Sequence, residues 1–360
     1  FDESSYQRIV IDYLKTKHSG VQCSSEEIAN VFPEVIWHSE TPILRTSPAP
    51  MYLLSNSVRE NNYKVVITGE GADEMFAGYN IFKETTIRSF WAKQPNSKIR
   101  PLLLQKLYPY IPQLSERPGA LKFFFGYKLT ETDSPFYSHL LRWHNTARIN
   151  SFLSDEIKGQ LEDYDPLTEL NKKIPEEFSN WSLLSKAQWL ETSIFMSGYL
   201  LSSQGDRMAM ANSIEGRYPF LDHRIIEFAA TLPADYKLHG LNEKFLLKKL
   251  MQGKLPDSII KRSKQAYRAP IQSAFLSKNA PEYVKHLLSP AYTKKAGLFN
   301  PDSVSAFLSK LKKTANSSEV ENMILTAILS THLLYFQFIE KQNKDLSDKK
   351  LNNLKIIEDI

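Results

Sequence analysis

An α/β fold is expected for this chain: a partial parallel-sheet layer over residues 1–90, a mostly α-helical part over 91–345, and a loose polar tail at 346–360. Three observations lead there. Residues 63–67, Tyr63-Lys64-Val65-Val66-Ile67, form a short run rich in β-branched residues, suited to a buried parallel strand. A turn with two glycines follows, then a helix onset at Met75-Phe76, which is the strand, turn and helix order of a ligand-binding unit. Beyond Tyr79 helical patterns continue without strand alternation.

Taken in order, residues 2–17 carry Tyr6, Ile9, Val10, Tyr13 and Leu14 at helical spacing. Residues 20–23, Gly20-Val21-Gln22-Cys23, suit a short strand. Ser24-Ser25-Glu26-Glu27 caps a second helix with Ile28, Val31, Phe32, Val35 and Ile36 along it, stopped at Pro42. Ile43 to Pro50 is an irregular loop held out of helix by its prolines, and its Arg45 is either a surface arginine or an anion contact. Helix returns from Met51 to Asn61. The Pro101 to Pro112 block and Phe123-Phe124-Phe125 interrupt the helical series that follows, with the aromatics expected to fill core. Leu183, Leu184, Ala187, Leu190, Ile194, Tyr199 and Leu200 give a long helix, and residues 321–342 a last amphipathic one.

Size and composition narrow the classes. The 360 residues are enough for one or two domains, and 42% apolar with 24% charged residues is ordinary for a globular chain. A net charge of +5 spread over so large a surface gives no nucleic-acid footprint. The lone Cys23 excludes a disulfide framework and a multi-thiolate metal site. No run of about eighteen uninterrupted apolar residues and no signal-like N-terminus point to a cytoplasmic protein with no membrane partner. The chain starts at Phe1 without an initiator Met, so a longer parent is expected.

The turn after Ile67 carries the chemistry. Gly69 and Gly71 allow the backbone to approach a phosphate closely. Glu70, Asp73 and Glu74 would repel a polyphosphate by several kcal/mol at short range. A nucleotide bound with Mg²⁺ removes that conflict, since Mg²⁺ favours carboxylate together with phosphate oxygens. A second block, Ser203 to Arg224, mixes Asp206, Arg207, Glu215, Arg217, Asp222, His223 and Arg224 with small and Met residues. For Glu215, Arg217, Asp222 and Arg224 a buried ion-pair network is expected, and for His223 a capping or packing role. In a third block, Pro256 to Pro270, the cations from Lys261 to Arg268 are either a solvated basic loop or a clamp that meets charge growing in a phosphoryl or nucleotidyl transition state.

Together, WHSETPILRTSPAPMYLLS, VVITGEGADEMFAGY, GDRMAMANSIEGRYPFLDHR and KRSKQAYRAPI resemble, in that order, the C-terminal synthetase domain of glutamine-dependent asparagine synthetases. The resemblance implies the remainder of an adenine-nucleotide alpha-hydrolase-like (ATP pyrophosphatase) parallel sheet followed by a large helical region. It implies ATP-dependent activation of the aspartate β-carboxylate to an aspartyl adenylate, release of pyrophosphate, and attack by ammonia. On this sequence it puts Thr68, Gly69 and Gly71 at the nucleotide, Asp73 on Mg²⁺, Glu70 as the acid that takes a proton from the attacking ammonium, and Lys264 at the phosphorus-centred transition state. Asp206 and Arg207 are expected to face the same cavity, and a homodimer is compatible.

Two parts of the family pattern are missing from these residues: the Ser-Gly-Gly-x-Asp-Ser pyrophosphate loop and the N-terminal glutaminase domain with its Cys nucleophile. The expectation is therefore a truncated, nearly inactive piece of an asparagine-forming parent. Lactam-forming relatives share the fold, but a tyrosine occupies the position of Glu70 in them. A non-catalytic binding domain and nucleic-acid binding through Lys261 to Arg268 are the remaining alternatives, the latter predicting steep salt dependence.

Overall fold

A computed structural model describes residues 3–108, 118–265, 267–314 and 316–341. The expected tail at 346–360, residues 109–112 of the proline block and the end of the last helix at Gln342 lie outside them. The described part is mostly helical, with two short strand pairs.

The first helix, α1 (Ser4–Leu14), buries none of its residues, so its apolar stripe, with Ile9, Tyr13 and Leu14 exposed, is not core. Residues 20–23 form no strand. Helix α2 (Ser25–Ser39) starts with the capping box the sequence predicts: Ser24 accepts from the Glu27 N–H, and the Glu27 carboxylate accepts from the Ser24 N–H. Its Ile28, Phe32, Val35 and Ile36 are fully buried. The proline-rich loop turns helical three residues earlier than expected, because Pro48 occupies the first turn of α3 (Pro48–Glu60), where a missing N–H costs nothing.

Strand β1 (Val65–Ile67) pairs in parallel with β2 (Glu215–Arg217), with Val66 opposite Gly216. The ladder extends at both ends through Glu215 N–H to Lys64 and Thr68 N–H to Arg217. The parallel pairing agrees with the expectation, but the burial does not. Val65 and Ile67 are exposed, Ile67 at 75%, because among the described residues β2 is the one strand beside β1 and nothing covers that face. After the turn come α4 (Ala72–Met75), a single helical turn, and α5 (Asn80–Ala92).

In the helical part, Phe125 is core, whereas Phe123 is 88% exposed, so the aromatic run fills core through one ring of its helix face. Residues Leu183–Leu190 are α-helical, and Glu191–Asp206 continues the same rod as π-helix. The ion-pair network expected in the second block is instead a set of local surface pairs: Arg217 with Glu215 at 2.8 Å, and Arg224 with Asp222 at 2.8 Å. Asp222 rather than His223 caps the next helix, by accepting from the Arg224 N–H, and the His223 side chain is 80% exposed. A hairpin of β3 (Leu238–His239) and β4 (Asn242–Glu243) is tied to α5 by the buried Lys83–Glu243 ion pair at 2.6 Å. The main core runs from Ile28 to Leu333 and so joins the first and last parts of the chain. The C-terminal helix, Glu319–Tyr335 with a π-helical extension to Glu340, is long and apolar enough to cross a membrane by length and composition, but its Ile324, Leu325, Ile328, Leu329 and Leu333 are packed in that core.

Candidate active site

Asp73, on α4, and Lys264, 191 positions later, meet: Lys264 Nζ lies 3.2 Å from Asp73 Oδ2. Lys244 Nζ approaches the other oxygen, Oδ1, at 2.9 Å. One largely buried carboxylate therefore holds two ammonium groups from distant segments. Burial opposes charge on Asp73, but Lys244 and Lys264 outweigh it and hold the carboxyl below its ordinary value. Lys264 also sits over the Tyr79 ring, 5.7 Å from its centre, and its own N–H donates to Glu243 at 3.2 Å. That second bond fixes the loop that carries it.

The glycine turn is shaped for close approach. Gly71 has φ of +89° at the start of α4, and a Cβ there would strike the Leu221 side chain, so both backbone and space demand glycine. Around Gly69, by contrast, a Cβ would meet nothing, which leaves open room beside the backbone. Gly78 is a further requirement that sequence reasoning missed: a Cβ at Gly78 would collide with Asp73 Oδ1 and Lys244 Cε, so only glycine leaves the ion pair its space. Ala77 and Lys244 both adopt left-handed φ, +55° and +51°, and Lys244 N–H donates to Phe76 O at 3.2 Å. Strained backbone at two positions flanking one ion pair is the pattern of a functional site.

Glu70 lies in the same field. Burial and then Asp73 raise its pKa, against the opposing pull of Lys264 and Lys244. Thr68 Oγ1 is buried without a hydrogen-bond partner among the described residues. An orphaned hydroxyl next to open space at Gly69 is a donor waiting for an acceptor. Asp206 reaches the cluster through Tyr218, whose phenol donates a short hydrogen bond to it. Burial, then Asp206, then the charge of Glu70 push the Tyr218 phenol up. Arg207 lies elsewhere, donating to Ser39 O at 2.6 Å and to Glu40 at 3.1 Å, at the end of α2. Of the cations in the third block, Lys264 alone meets Asp73. Lys261 pairs with Asp257, Arg262 with Glu3, and Arg268 with Glu319, which also holds Arg45.

Beneath the cluster Glu74 is 1% exposed and accepts from Tyr79 OH at 2.8 Å. Gln188 clamps the end of α4 by donating to Glu74 O at 2.5 Å and Met75 O at 3.0 Å, and accepts in turn from the buried Lys237 at 3.2 Å. Burial, with lesser contributions from Asp73 and Glu191, pushes the Glu74 carboxyl up to about 7. A folded pKa above the unfolded one means that the folded state holds its proton longer. The contribution of Glu74 is full below about pH 4.5 and is lost as pH rises to about 7. Glu74→Gln should therefore remove a component of at most about 3 kcal/mol from the fall in stability across that window. Urea unfolding of both proteins at several pH values measures it, and parallel profiles would contradict it.

The site therefore gathers two ammonium groups, Lys244 and Lys264, around Asp73 beside Glu70 and an open glycine turn. The asparagine synthase family matches residues 1–334, and the chain belongs to that family. It is 29% identical over 275 residues to the glutamine-hydrolyzing asparagine synthetase 1 of Bacillus subtilis, covering 75% of this chain and 40% of that protein. Similarity to amidase chyE of Penicillium rubens is 30% over 291 residues, covering 75% and 41%, and to a putative glutamine-hydrolyzing asparagine synthetase of Mycobacterium bovis 26% over 271 residues, covering 72% and 38%. The chain thus spans about two fifths of the length of these relatives.

Proposed function

We propose that the protein joins ammonia to the β-carboxylate of aspartate at the expense of ATP, through an aspartyl adenylate. The observation that supports this reading most is the meeting of Asp73 with Lys264 beside Glu70. A β-carboxylate oxygen attacks the α-phosphorus of ATP and pyrophosphate leaves. Ammonia nitrogen then attacks the acyl carbon, AMP departs with the attacking oxygen, and the proton shed by nitrogen passes to Glu70. The turn fits a nucleotide, since Thr68 has a free buried hydroxyl, Gly69 borders open room and Gly71 keeps a side chain out. It is what the sheet of the expected ATP pyrophosphatase fold would present, with β1 and β2 as part of that sheet.

Mg²⁺ fits the donor set in a restricted sense. Among the described residues no three His, Cys, Asp or Glu side chains gather to hold a metal, so the ion would rest on Asp73 and on substrate phosphates. It would screen the acids from the triphosphate. Since both oxygens of Asp73 are taken by lysines, Lys264 has to leave Asp73 for the phosphate, where its charge offsets that of the leaving group.

Glu70 must be ionised to accept a proton, and its raised pKa sets the pH at which activity appears. Amide formation should fall as pH drops through an apparent pKa above the ordinary glutamate value. In the complete gene product, Glu70→Gln should keep aspartate-dependent exchange of pyrophosphate with ATP while lowering amide formation by about 10²-fold or more. Equal loss of both activities would remove Glu70 from the second step. The similarity to amidase chyE favours a second reading, amide formation on another carboxylate, which the same assay separates by changing the acid supplied.

A further inference from the structure

The surface folds into a cavity of about 310 Å³ that shares Lys264 with the Asp73 cluster. Lys83, Lys106, Lys248, Lys261 and Lys264 line it. Among the described residues Glu243, on β4, is the one carboxylate in its wall, tied to Lys83 at 2.6 Å and Lys248 at 3.1 Å. Of these five lysines, Lys83 and Lys248 share Glu243, Lys261 pairs with Asp257, Lys264 shares Asp73 with Lys244, and Lys106 has no ion pair among the described residues. Ammonium groups crowded in a concavity with too few counter-charges are costly unless an anion joins them.

We propose that this cavity receives inorganic pyrophosphate, the leaving group of the reaction proposed above. It rests on that reading for its choice of ligand, but not for the existence of an anion site. The lining favours an inorganic polyanion over a nucleotide. Among its described members the apolar side chains are Leu107 and Leu241, and the one ring, His239, is engaged on one face by Phe245 at 4.7 Å between centres; the rest are polar or charged. Lys264 belongs to both places. Bound to Asp73 it closes the reacting cluster, and turned to the cavity it accompanies the departing anion. Glu243, which accepts from the Lys264 N–H, keeps the backbone of Lys264 in place while the side chain moves.

Calorimetric titration of the 360-residue chain with inorganic pyrophosphate at fixed ionic strength tests this. The expected result is saturable binding, weakened at least tenfold in Lys106→Ala/Lys248→Ala and changed less than twofold in Thr68→Val. Both lysine substitutions leave the buried Lys83–Glu243 pair in place, and circular dichroism would verify the fold. Absence of saturable binding, or equal affinity in the double variant, overturns the proposal. So does a loss in Thr68→Val as large as that in the double variant, since the anion would then sit at the glycine turn. Aspartate-dependent pyrophosphate release by the complete gene product is measured separately: release without cavity binding sinks the cavity alone, and binding without release sinks the ligase reading while keeping the anion site.

Discussion

Lys264→Met lowers the rate of aspartate-dependent pyrophosphate formation by about 10²–10³-fold, the loss typical of removing one positioned charge from a transition state. Methionine keeps the length and apolar stem of lysine, so the Tyr79 ring stays covered and the loop still donates its N–H to Glu243. What disappears is the cation. Asp73 keeps Lys244 at 2.9 Å, so its charge remains compensated and the fold should hold. The effect should fall on kcat more than on KM, because in the proposed reaction the charge that Lys264 would answer develops on the phosphates as the bond to the α-phosphorus breaks. Lys264→Arg should recover little, since a planar fork cannot occupy the narrow place between Asp73 and Tyr79 as a compact ammonium does. A loss below tenfold would show that Lys264 serves only as the counter-ion of Asp73.

Arg88→Met should destabilise the protein by about 3 kcal/mol or more, the usual cost of breaking up a buried charged group's contacts by removing one member. Arg88 is 1% exposed, on the inner face of α5. It donates to Phe125 O at 3.1 Å, Tyr137 O at 3.1 Å and Tyr127 O at 2.7 Å, and its guanidinium lies 4.5 Å from the centre of the Tyr137 ring. Those carbonyls belong to the last residue of the helix Pro118–Phe125 and to the turns that follow it, so one side chain ties a helix end to a stretch of chain that no ladder holds. Methionine fills part of the volume but leaves three buried acceptors unsatisfied. Lysine, with a single point of donation, cannot span them. Urea unfolding measures the change, and a difference under 1 kcal/mol would show that water or neighbouring groups replace the guanidinium.

Legibility in the sequence followed the range of the forces involved. The capping box at Ser24 and Glu27 could be read because a cap is a matter of four adjacent residues. The parallel character of β1 could be read from its β-branched run, but its exposure could not, since that depends on what lies beside it. The turn at Gly69 to Asp73 announced itself by composition, and Lys264 by its basic neighbourhood and the family resemblance. Lys244 was invisible because nothing in Asn242-Glu243-Lys244 distinguishes it from a surface lysine, and its role is made by a contact with a residue 171 positions away. Gly78 is a milder case. The string Asp73-Glu74-Met75-Phe76-Ala77-Gly78 holds both members of the constraint, yet only coordinates reveal that a methyl group at 78 would occupy the space of the ion pair. Arg207 and Asp206, adjacent in sequence, point to different parts of the molecule, one to the end of α2 and the other to Tyr218, which periodicity alone does not resolve.

The central claim is chemical: the aspartate β-carboxylate attacks the α-phosphorus, and nitrogen arrives afterwards. Aspartate carrying heavy oxygen in its β-carboxylate, incubated with ATP, Mg²⁺ and ammonia and the complete gene product, tests it in a single mass spectrum. The account predicts one labelled oxygen in AMP for each amide formed; label in pyrophosphate or orthophosphate, or unlabelled AMP alongside amide, would contradict it.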